Sequence, residues 1–419
     1  MFFESALPNG LRIIGQKLPH YQSISLGVWI GTGSVKERDN EAGISHFIEH
    51  MLFKGTQKRS AQQIAAEMDG MGAQLNAFTS KECTCYYAKF MGSRLRQAAD
   101  VLSDMVLHSA FDPEEMKKEK GVVTEEILMV EDSPEDLAMD LLSETFFGKS
   151  PLGSPILGTK ETVQSFTREG ILNYMARHYE PANMLVAVAG DFDEQEITDC
   201  VNELFGSSSQ PFPVENYPAP PAPSGKRISL REKDIEQTHV TLATPAFSAE
   251  DPRFYPLLVL NNALGGTMSS RLFQKIREER GLAYSVYSFA SSYRDTGTLG
   301  FYAGTNAGQA RTVLDLMLQE MEDVRKNGLS DLEFSRSKDQ LKGSYILGNE
   351  STGARMSAIG KNKLLYGRVR SEEEIVRSIE AVTQDDIMEI AQTVLSTENM
   401  CGALVGKVKG FESDVNKLW

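Results

Sequence analysis

Two histidines and a glutamate in the first part of the chain have the spacing of a metal site. His46 and His50 are four residues apart, and Glu49 immediately precedes the second of them. On an α-helix, residues i and i+4 lie on one face about one turn apart, so both imidazoles can reach the same zinc ion. Glu49 shares that face and has the geometry of a general base that is close to a metal-bound water without being a ligand. The alternative is an amphipathic helix with exposed polar residues, which the apolar neighbours Phe47 and Ile48 also fit.

A second helix could supply the third protein ligand that a zinc site needs. The segment Pro113–Met129 is rich in carboxylates, and Glu119 and Glu126 lie seven residues apart, on one helical face. Glu126 could bind the ion while Glu119 orients a ligand histidine through its free ring nitrogen. Glu125 points about 100° away, and composition does not choose between Glu125 and Glu126. The competing interpretation is a charged helix face that is simply solvated.

The elements that must position these residues follow from capping and periodicity. Ser60 is a good N-cap for a helix over 60–71, and Ser133 followed by Pro134 marks another helix start. Further helices are predicted over 93–109 and 113–130, strands over 23–30 and 185–189, and two strands within 73–90. Later in the chain the order recurs, with strands near 238–243, 283–291 and 297–303 and helices near 254–264, 270–279, 307–327 and 331–347. This recurrence predicts a divergent internal duplication of a mixed α+β unit.

A stretch rich in serine and proline divides the two copies. Residues 207–226 cannot form a regular helix or a central strand, and they predict a semi-rigid linker. The 419 residues exceed one ordinary core. We therefore expect an N-terminal metal-binding domain over 1–206 and a C-terminal domain over 227–419.

Composition limits the partners and the compartment. The net charge of −15 disfavours nucleic acid, because phosphates would not be neutralised. No apolar run reaches membrane-spanning length, and the N-terminus lacks the pattern of a signal peptide. The four cysteines form no disulfide framework, and Cys83 and Cys85 should be packed thiols on one face of a strand. A reducing, cytoplasmic location is expected.

The whole chain resembles the pitrilysin–insulysin family of zinc peptidases, which carry the inverted motif H-x-x-E-H. It is most similar to the short two-domain branch that includes the catalytic subunit of the mitochondrial processing peptidase. The matching segments are Leu7–Arg12, Gly31–Ser34, Gly43–Thr56 and Ser269–Tyr284. The resemblance implies two homologous α+β domains, each with a mostly antiparallel sheet packed with helices.

The resemblance also implies roles at the metal. His46, His50 and Glu126 would bind one Zn²⁺ per chain, with Glu49 as the base and Glu119 as the carboxylate behind a ligand histidine. The spacing from His50 to Glu126 matches the family, and it is this match that selects Glu126 over Glu125.

Two further matches concern the substrate. The segment Leu75–Ser80 resembles the family's edge strand, to which a peptide would add through the main chain of Asn76, Ala77 and Phe78. An ordinary core strand fits the same residues. By the resemblance, Arg277 and Tyr284 of the second domain would support the oxyanion. Without the resemblance, Arg277 would be interpreted as part of a basic helix end that a glycine closes, and Tyr284 as an ordinary strand residue.

The expected activity is that of a zinc-dependent endopeptidase acting on unfolded peptides. Because long family members have four such domains and this chain has two, we expect a homodimer that forms a closed chamber. Each metal site would be completed by Arg277 and Tyr284 of the other copy. Two alternatives are a maturation peptidase for one peptide precursor and a non-catalytic structural subunit of the same fold.

Overall fold

The computed structural model describes residues 2–208 and 225–411. These residues contain eleven strands: β1 (Phe2–Ala6), β2 (Arg12–Lys17), β3 (Ser23–Ile30), β4 (Gln74–Thr79), β5 (Thr84–Met91), β6 (Met184–Gly190), β7 (Arg227–Glu232), β8 (Gln237–Ala246), β9 (Ala283–Ser292), β10 (Gly297–Asn306) and β11 (Cys401–Gly406).

The same residues contain fourteen α-helices: α1 (Ile44–Leu52), α2 (Ala61–Gly70), α3 (Leu95–His108), α4 (Pro113–Asp132), α5 (Pro134–Phe147), α6 (Lys160–Ser165), α7 (Arg168–His178), α8 (Glu194–Phe205), α9 (Phe254–Asn261), α10 (Ala310–Asn327), α11 (Asp331–Gly348), α12 (Thr352–Tyr366), α13 (Glu372–Ala381) and α14 (Gln384–Val394). Two further segments, Asn262–Gly266 and Phe273–Glu278, are π-helical, with hydrogen bonds that join residues five apart.

Each of two compact units is built around one sheet, which agrees with the predicted duplication. The first sheet has the order β1-β2-β6-β3-β5-β4 and the second has the order β7-β11-β8-β10-β9. Each sheet is antiparallel except for one parallel pair of strands. This pair is β2 with β6 in the first sheet and β7 with β11 in the second. From these pairs onward the two sheets have the same strand order, and β4 and β9 are the corresponding edge strands.

The compact units are not two contiguous halves of the chain. The first unit contains the described residues of the ranges 1–127, 155–218 and 347–370, and the second contains those of the ranges 128–154, 219–346 and 371–419. They differ from the predicted domains 1–206 and 227–419 because α5 and α12 each pack on the sheet formed mainly by the other half of the sequence. Most of the predicted linker 207–226 lies outside the described residues.

Helix α12 covers one face of the first sheet. The Trp29 indole donates to Met356 Sδ at 3.4 Å, and the Ser25 and Thr352 hydroxyls lie 2.9 Å apart. Gly360 allows this close approach, since a Cβ atom there would lie 2.3 Å from the Trp29 ring. The opposite face packs against α1 through residues such as Phe47. Strand β3 is therefore buried on both faces, although its sequence resembles a half-exposed strand.

Helix α5 lies on the second sheet in the same way. Tyr287 donates to Glu135 at 2.7 Å, and Thr145 donates to Ser229 at 2.7 Å. The helix begins at Pro134, as predicted, but the preceding Ser133 makes no side-chain capping bond. A single residue, Ser133, separates α4 from α5.

Local signals of the first unit are confirmed in detail. Ser60 accepts from the amide of Gln63 at 3.2 Å, and the Gln63 side chain accepts from the amide of Ser60 at 2.8 Å, which makes a capping box at the start of α2. Cys83 and Cys85 are buried free thiols that pack in one apolar cluster with Trp29.

Over residues 2–208 and 225–411, no helix combines the length and the apolar composition that crossing a bilayer requires.

Candidate metal centre

Helix α1, which carries both histidines, begins at a buried carboxylate. The side chain of Glu37 accepts hydrogen bonds from the amides of Gly43 at 2.7 Å and of Ser45 at 2.8 Å. Amides at a helix N-terminus have no acceptor within the helix, and a negative charge there also interacts favourably with the helix dipole. The Ser45 hydroxyl lies 2.8 Å from that of the buried Tyr174. The turn that precedes His46 is therefore fixed by buried polar contacts.

The side chains of His46, His50 and Glu126 converge on one point. Nε2 of His46 lies 3.6 Å from Oε2 of Glu126, and Nε2 of His50 lies 3.5 Å from the same oxygen. One potential ligand atom from each of the three residues lies within 4.8 Å of the other two. The i and i+4 spacing on α1 and the position of Glu126 on α4 thus produce a three-donor cluster.

The donor set fits zinc. Ligands about 2.1 Å from a tetrahedral ion are about 3.4 Å apart, close to the two separations between nitrogen and oxygen seen here. These separations are too long for good hydrogen bonds. Oε2 of Glu126 is buried and has no hydrogen-bond partner among the described residues. Two imidazoles and one carboxylate leave one position of a tetrahedral site open, as catalytic zinc sites do.

Behind the histidines lies a buried carboxylate that contacts two basic groups. Glu119 is 3% exposed, and its Oε1 lies 2.8 Å from Nδ1 of His50. Its other oxygen lies 2.7 Å from the ammonium group of Lys54. The bond to Nδ1 favours the tautomer of His50 that leaves Nε2 free for a metal. Nδ1 of His46 is buried without a hydrogen-bond partner in the described part of the chain, so Glu119 supports only one of the two histidines.

The electrostatic surroundings shift the pKa values of the two imidazoles in opposite directions. Burial, with a further contribution from neighbouring His50, lowers the pKa of His46 to about 4, which keeps this ring in the neutral form that ligates metals. Burial also acts to lower the pKa of His50, but the hydrogen bond to Glu119 and the nearby carboxylates raise it overall. Without a metal, His50 is therefore the histidine that holds a proton more readily.

Glu49 projects beside the three donors and is held by a strand residue. Oε2 of Glu49 accepts a 2.6 Å hydrogen bond from the hydroxyl of Thr79, the last residue of β4. Burial raises the pKa of Glu49, while the bond from Thr79 opposes that shift. A carboxylate with a raised pKa is a stronger base, which is what a proton acceptor at this position needs.

Strand β4 is one of the two edge strands of the first sheet. It pairs only with β5 in the described residues. Asn76 is exposed, and its side-chain oxygen accepts from the amide of Ala77 at 2.8 Å, so that amide is outside the sheet ladder. The ring of Phe78 instead packs on Trp29, with ring centroids 5.5 Å apart. The side chain of Phe78 is therefore engaged in packing within the first unit.

Arg277 and Tyr284 lie together in the second unit. The guanidinium carbon of Arg277 is 4.7 Å from the centre of the Tyr284 ring, and Tyr284 is 77% exposed at the start of β9. Gly281, between them, has φ +61°, which a glycine adopts without strain and which closes the preceding helix as the sequence indicates.

Five predicted residues thus form one cluster in the first unit: His46, Glu49, His50, Glu119 and Glu126. Sequence reasoning missed two contacts to this cluster, from Lys54 to Glu119 and from Thr79 to Glu49, and it missed the capping of α1 by Glu37. Thr79 lies within the segment matched to the edge strand, but its residue type gives no sign of a bond to Glu49. Lys54 and Glu37 flank α1 as ordinary charged residues, and only their burial or partners distinguish them.

Comparison with known protein families matches most of the chain. Residues 12–160 match the model described as insulinase, peptidase family M16, and residues 165–341 match the model described as the peptidase M16 inactive domain. A protein named uncharacterized zinc protease YmxG, from Bacillus subtilis, is 45% identical over 95% of this chain and 96% of its own length. An uncharacterized zinc protease from Rickettsia felis is 36% identical over 97% of this chain and 98% of its own length.

Solved structures show the same fold at lower sequence identity. A protease from Helicobacter pylori superposes with a TM-score of 0.91 at 21% identity, covering 97% of this chain and 99% of that chain. A chain of Complex III2 from Candida albicans superposes with a TM-score of 0.85 at 21% identity, covering 99% of each chain. At these identities the likeness concerns the fold alone.

Proposed function

Because the chain belongs to peptidase family M16, we propose that it is a zinc-dependent endopeptidase that hydrolyses unfolded peptides. The observation that supports this most directly is the convergence of two Nε2 atoms on the unpartnered Oε2 of Glu126. His46, His50 and Glu126 would hold the ion. When bound there, zinc would supply Lewis acidity that lowers the pKa of water and polarises a carbonyl group.

The protein's own groups would move the protons. Glu49 takes a proton from the attacking water and later delivers it to the leaving amine. Its burial makes it a stronger base, and the Thr79 hydroxyl fixes the orientation of its carboxylate. Glu119 holds His50 by Nδ1, so that the Nε2 lone pair stays directed toward Glu126.

The β4 edge of the first sheet would bind the substrate. A peptide added to β4 pairs with the outward main-chain groups of the segment that contains Asn76, Ala77 and Phe78, and such pairing would tolerate varied sequences. Thr79 ends this strand and touches Glu49, so a peptide on β4 runs toward the base. Only an extended, unfolded segment can pair in this way.

A second copy of the chain would complete the site. In this proposal Arg277 and Tyr284 of the partner support the oxyanion, and the homodimer encloses a chamber that excludes folded proteins. No part for nucleic acid or membrane is proposed. The free, buried cysteines agree with a reducing, cytoplasmic location.

The central test compares zinc content and peptide hydrolysis between the wild type and Glu49→Gln. We expect the variant to bind zinc like the wild type, because Glu49 is not a ligand, and to lose at least about 100-fold in kcat. Zinc binding without hydrolysis by the wild type would favour a non-catalytic member of the fold. Hydrolysis by Glu49→Gln at the wild-type rate would refute the role of the base.

The dimer is tested separately by mixing two inactive variants, Glu49→Gln and Arg277→Ala. Hybrid dimers should regain one working site, made of the intact metal centre of one chain and the intact Arg277 of the other. Absence of rescue, with exchange of chains confirmed by differently tagged copies, would contradict completion of the site by a second copy.

A further inference from the structure

The guanidinium group of Arg277 lies close to two aromatic rings of the second unit. Its central carbon is 4.7 Å from the ring centre of Phe273 and 4.7 Å from that of Tyr284. Both distances are within the range of cation–π attraction. Phe273 and Arg277 belong to the same π-helical segment, Phe273–Glu278, whereas Tyr284 arrives from β9.

The hydrogen-bond donors of Arg277 remain unused. Within the described residues its side chain makes no hydrogen bond, and its nearest acid is Glu278, 3.7 Å away and half-exposed. Arg271, six residues earlier, is different, since Glu333 and Asp323 both accept from it. A guanidinium carries five donors in a rigid fork. Arg277 is thus held by ring faces, which consume none of those donors.

The backbone between the two rings is fixed as well. The amide of Gly281 donates to Arg277 O at 2.9 Å, and the amide of Leu282 donates to Ile276 O at 2.9 Å. These bonds close the π-helical segment and turn the chain into β9, so Tyr284 meets the guanidinium that Phe273 already contacts. Phe273 is half-buried, whereas Tyr284 is almost fully exposed. Phe273 is therefore the more firmly placed of the two rings.

We propose that Phe273 is a positioning residue that orients the Arg277 guanidinium for an oxygen anion of the substrate. The inference rests on the proposed function, in which Arg277 supports the oxyanion. A long arginine side chain would otherwise sample many rotamers at this partly exposed position, and ordering it on binding would weaken its interaction with the transition state. The ring restricts those rotamers before substrate arrives and leaves the donors free.

The test measures kcat and KM on an internally quenched peptide that the wild type cleaves. Phe273→Leu keeps apolar bulk but removes the ring face, and we expect kcat to fall about three- to tenfold with KM little changed. Phe273→Tyr should retain wild-type kcat. Fluorinated phenylalanines at position 273 weaken cation–π attraction with little change of shape, so kcat should fall stepwise with the number of fluorines. Phe254→Leu is the matched control, because Phe254 is a half-buried ring that packs on Tyr255 and has no cation over it in the described part of the chain.

A second readout does not depend on catalysis. In the zinc-free protein, the side-chain Nε–H resonance of Arg277 should be shifted upfield by the rings and should move toward its exposed value in Phe273→Leu. Suppose that Arg277→Ala impairs hydrolysis. The inference would then be overturned by an unchanged kcat across the fluorinated series, or by an Arg277 resonance that Phe273→Leu does not shift. If Arg277→Ala itself hydrolyses peptide normally, the proposed oxyanion role fails, and the positioning role fails with it.

Discussion

The hydroxyl of Thr79 donates a 2.6 Å hydrogen bond to Oε2 of Glu49, and this bond joins the end of the edge strand to the proposed base. The same strand would carry the peptide. In the proposed function, substrate binding and orientation of the base would thus be coupled through one side chain. The bond also favours the ionised form of Glu49 against the effect of burial.

Replacing Thr79 by valine should shift the pH profile of the reaction. The bond from Thr79 lowers the pKa of Glu49, so its loss raises that pKa further above the usual range. Glu49 acts as a base only when ionised, and the acidic limb of kcat/KM should therefore move to higher pH. At pH values below the acidic limb of the wild type we expect kcat/KM to fall about tenfold, and at pH values well above that limb we expect little change in kcat/KM. Thr79→Ser keeps the donor and should keep the wild-type profile, whereas a Thr79→Val profile that overlays the wild type would contradict the coupling.

Zinc affinity should depend on Glu119 and not on Glu125. Glu119→Gln replaces the acceptor of the His50 ring with a neutral group, and we expect zinc to bind about 10- to 100-fold more weakly. Competition with a chromophoric chelator measures this directly. Glu125→Gln is the matched control, since Glu125 is exposed on the same helix. Equal affinities for the two variants would mean that the carboxylate behind His50 does not support the metal.

The buried Glu37 should make stability depend on pH. Burial raises the pKa of Glu37 to about 7, from the usual 4.5. Such a group contributes stability that is fully present below about pH 4.5 and is lost as the pH rises through about 7, because the unfolded chain releases the proton first. Between pH 4.5 and 7, the free energy of unfolding of the wild type relative to Glu37→Gln should therefore fall by up to about 3 kcal/mol. Urea unfolding at a series of pH values measures this, with the exposed Glu114→Gln as control. A difference that rises with pH would mean that Glu37 is ionised throughout, held by the amides of Gly43 and Ser45.

Asn76 should contribute to peptide binding. Its side-chain oxygen holds the Ala77 amide, while its Nδ2 group has no hydrogen-bond partner among the described residues and is exposed on the β4 edge. Asn76→Ala should raise KM about three- to tenfold with unchanged zinc content, through loss of a hydrogen bond to the substrate. Gln74→Ala removes an exposed amide from the same face of the same strand, farther from Thr79, and should leave KM unchanged. If the two substitutions act alike, β4 is not the binding edge.

The candidate metal site could be predicted from the sequence because most of its geometry is local. Helical periodicity alone puts His46, Glu49 and His50 on one face and Glu119 with Glu126 on another. Periodicity does not determine how α4 is rotated about its axis. It therefore could not decide whether Glu125 or Glu126 is the third metal ligand. In the structure Glu126 faces the histidines and Glu125 is exposed to solvent.

The unforeseen contacts depend on tertiary structure. The bond between Glu49 and Thr79 depends on the register of β4 against β5 and on the position of α1 relative to the sheet. Residue types alone predict neither of these. Likewise, the pairing of Lys54 with Glu119 needs the end of α1 to meet α4. The packing of α5 and α12 on the sheet formed by the other half of the sequence was not predicted. Capping and periodicity predict that a helix forms, but they do not predict which sheet it covers.

The packing of α12 on the first sheet has a consequence for synthesis of the protein. Trp29 emerges from the ribosome early, but Met356 and Gly360, which cover its ring, are translated more than 300 residues later. Until then the nascent chain leaves one apolar face of its first sheet uncovered. Neither half of the sequence can complete its own core, so a chain arrested before residue 352 should be a substrate for chaperones rather than a folded domain.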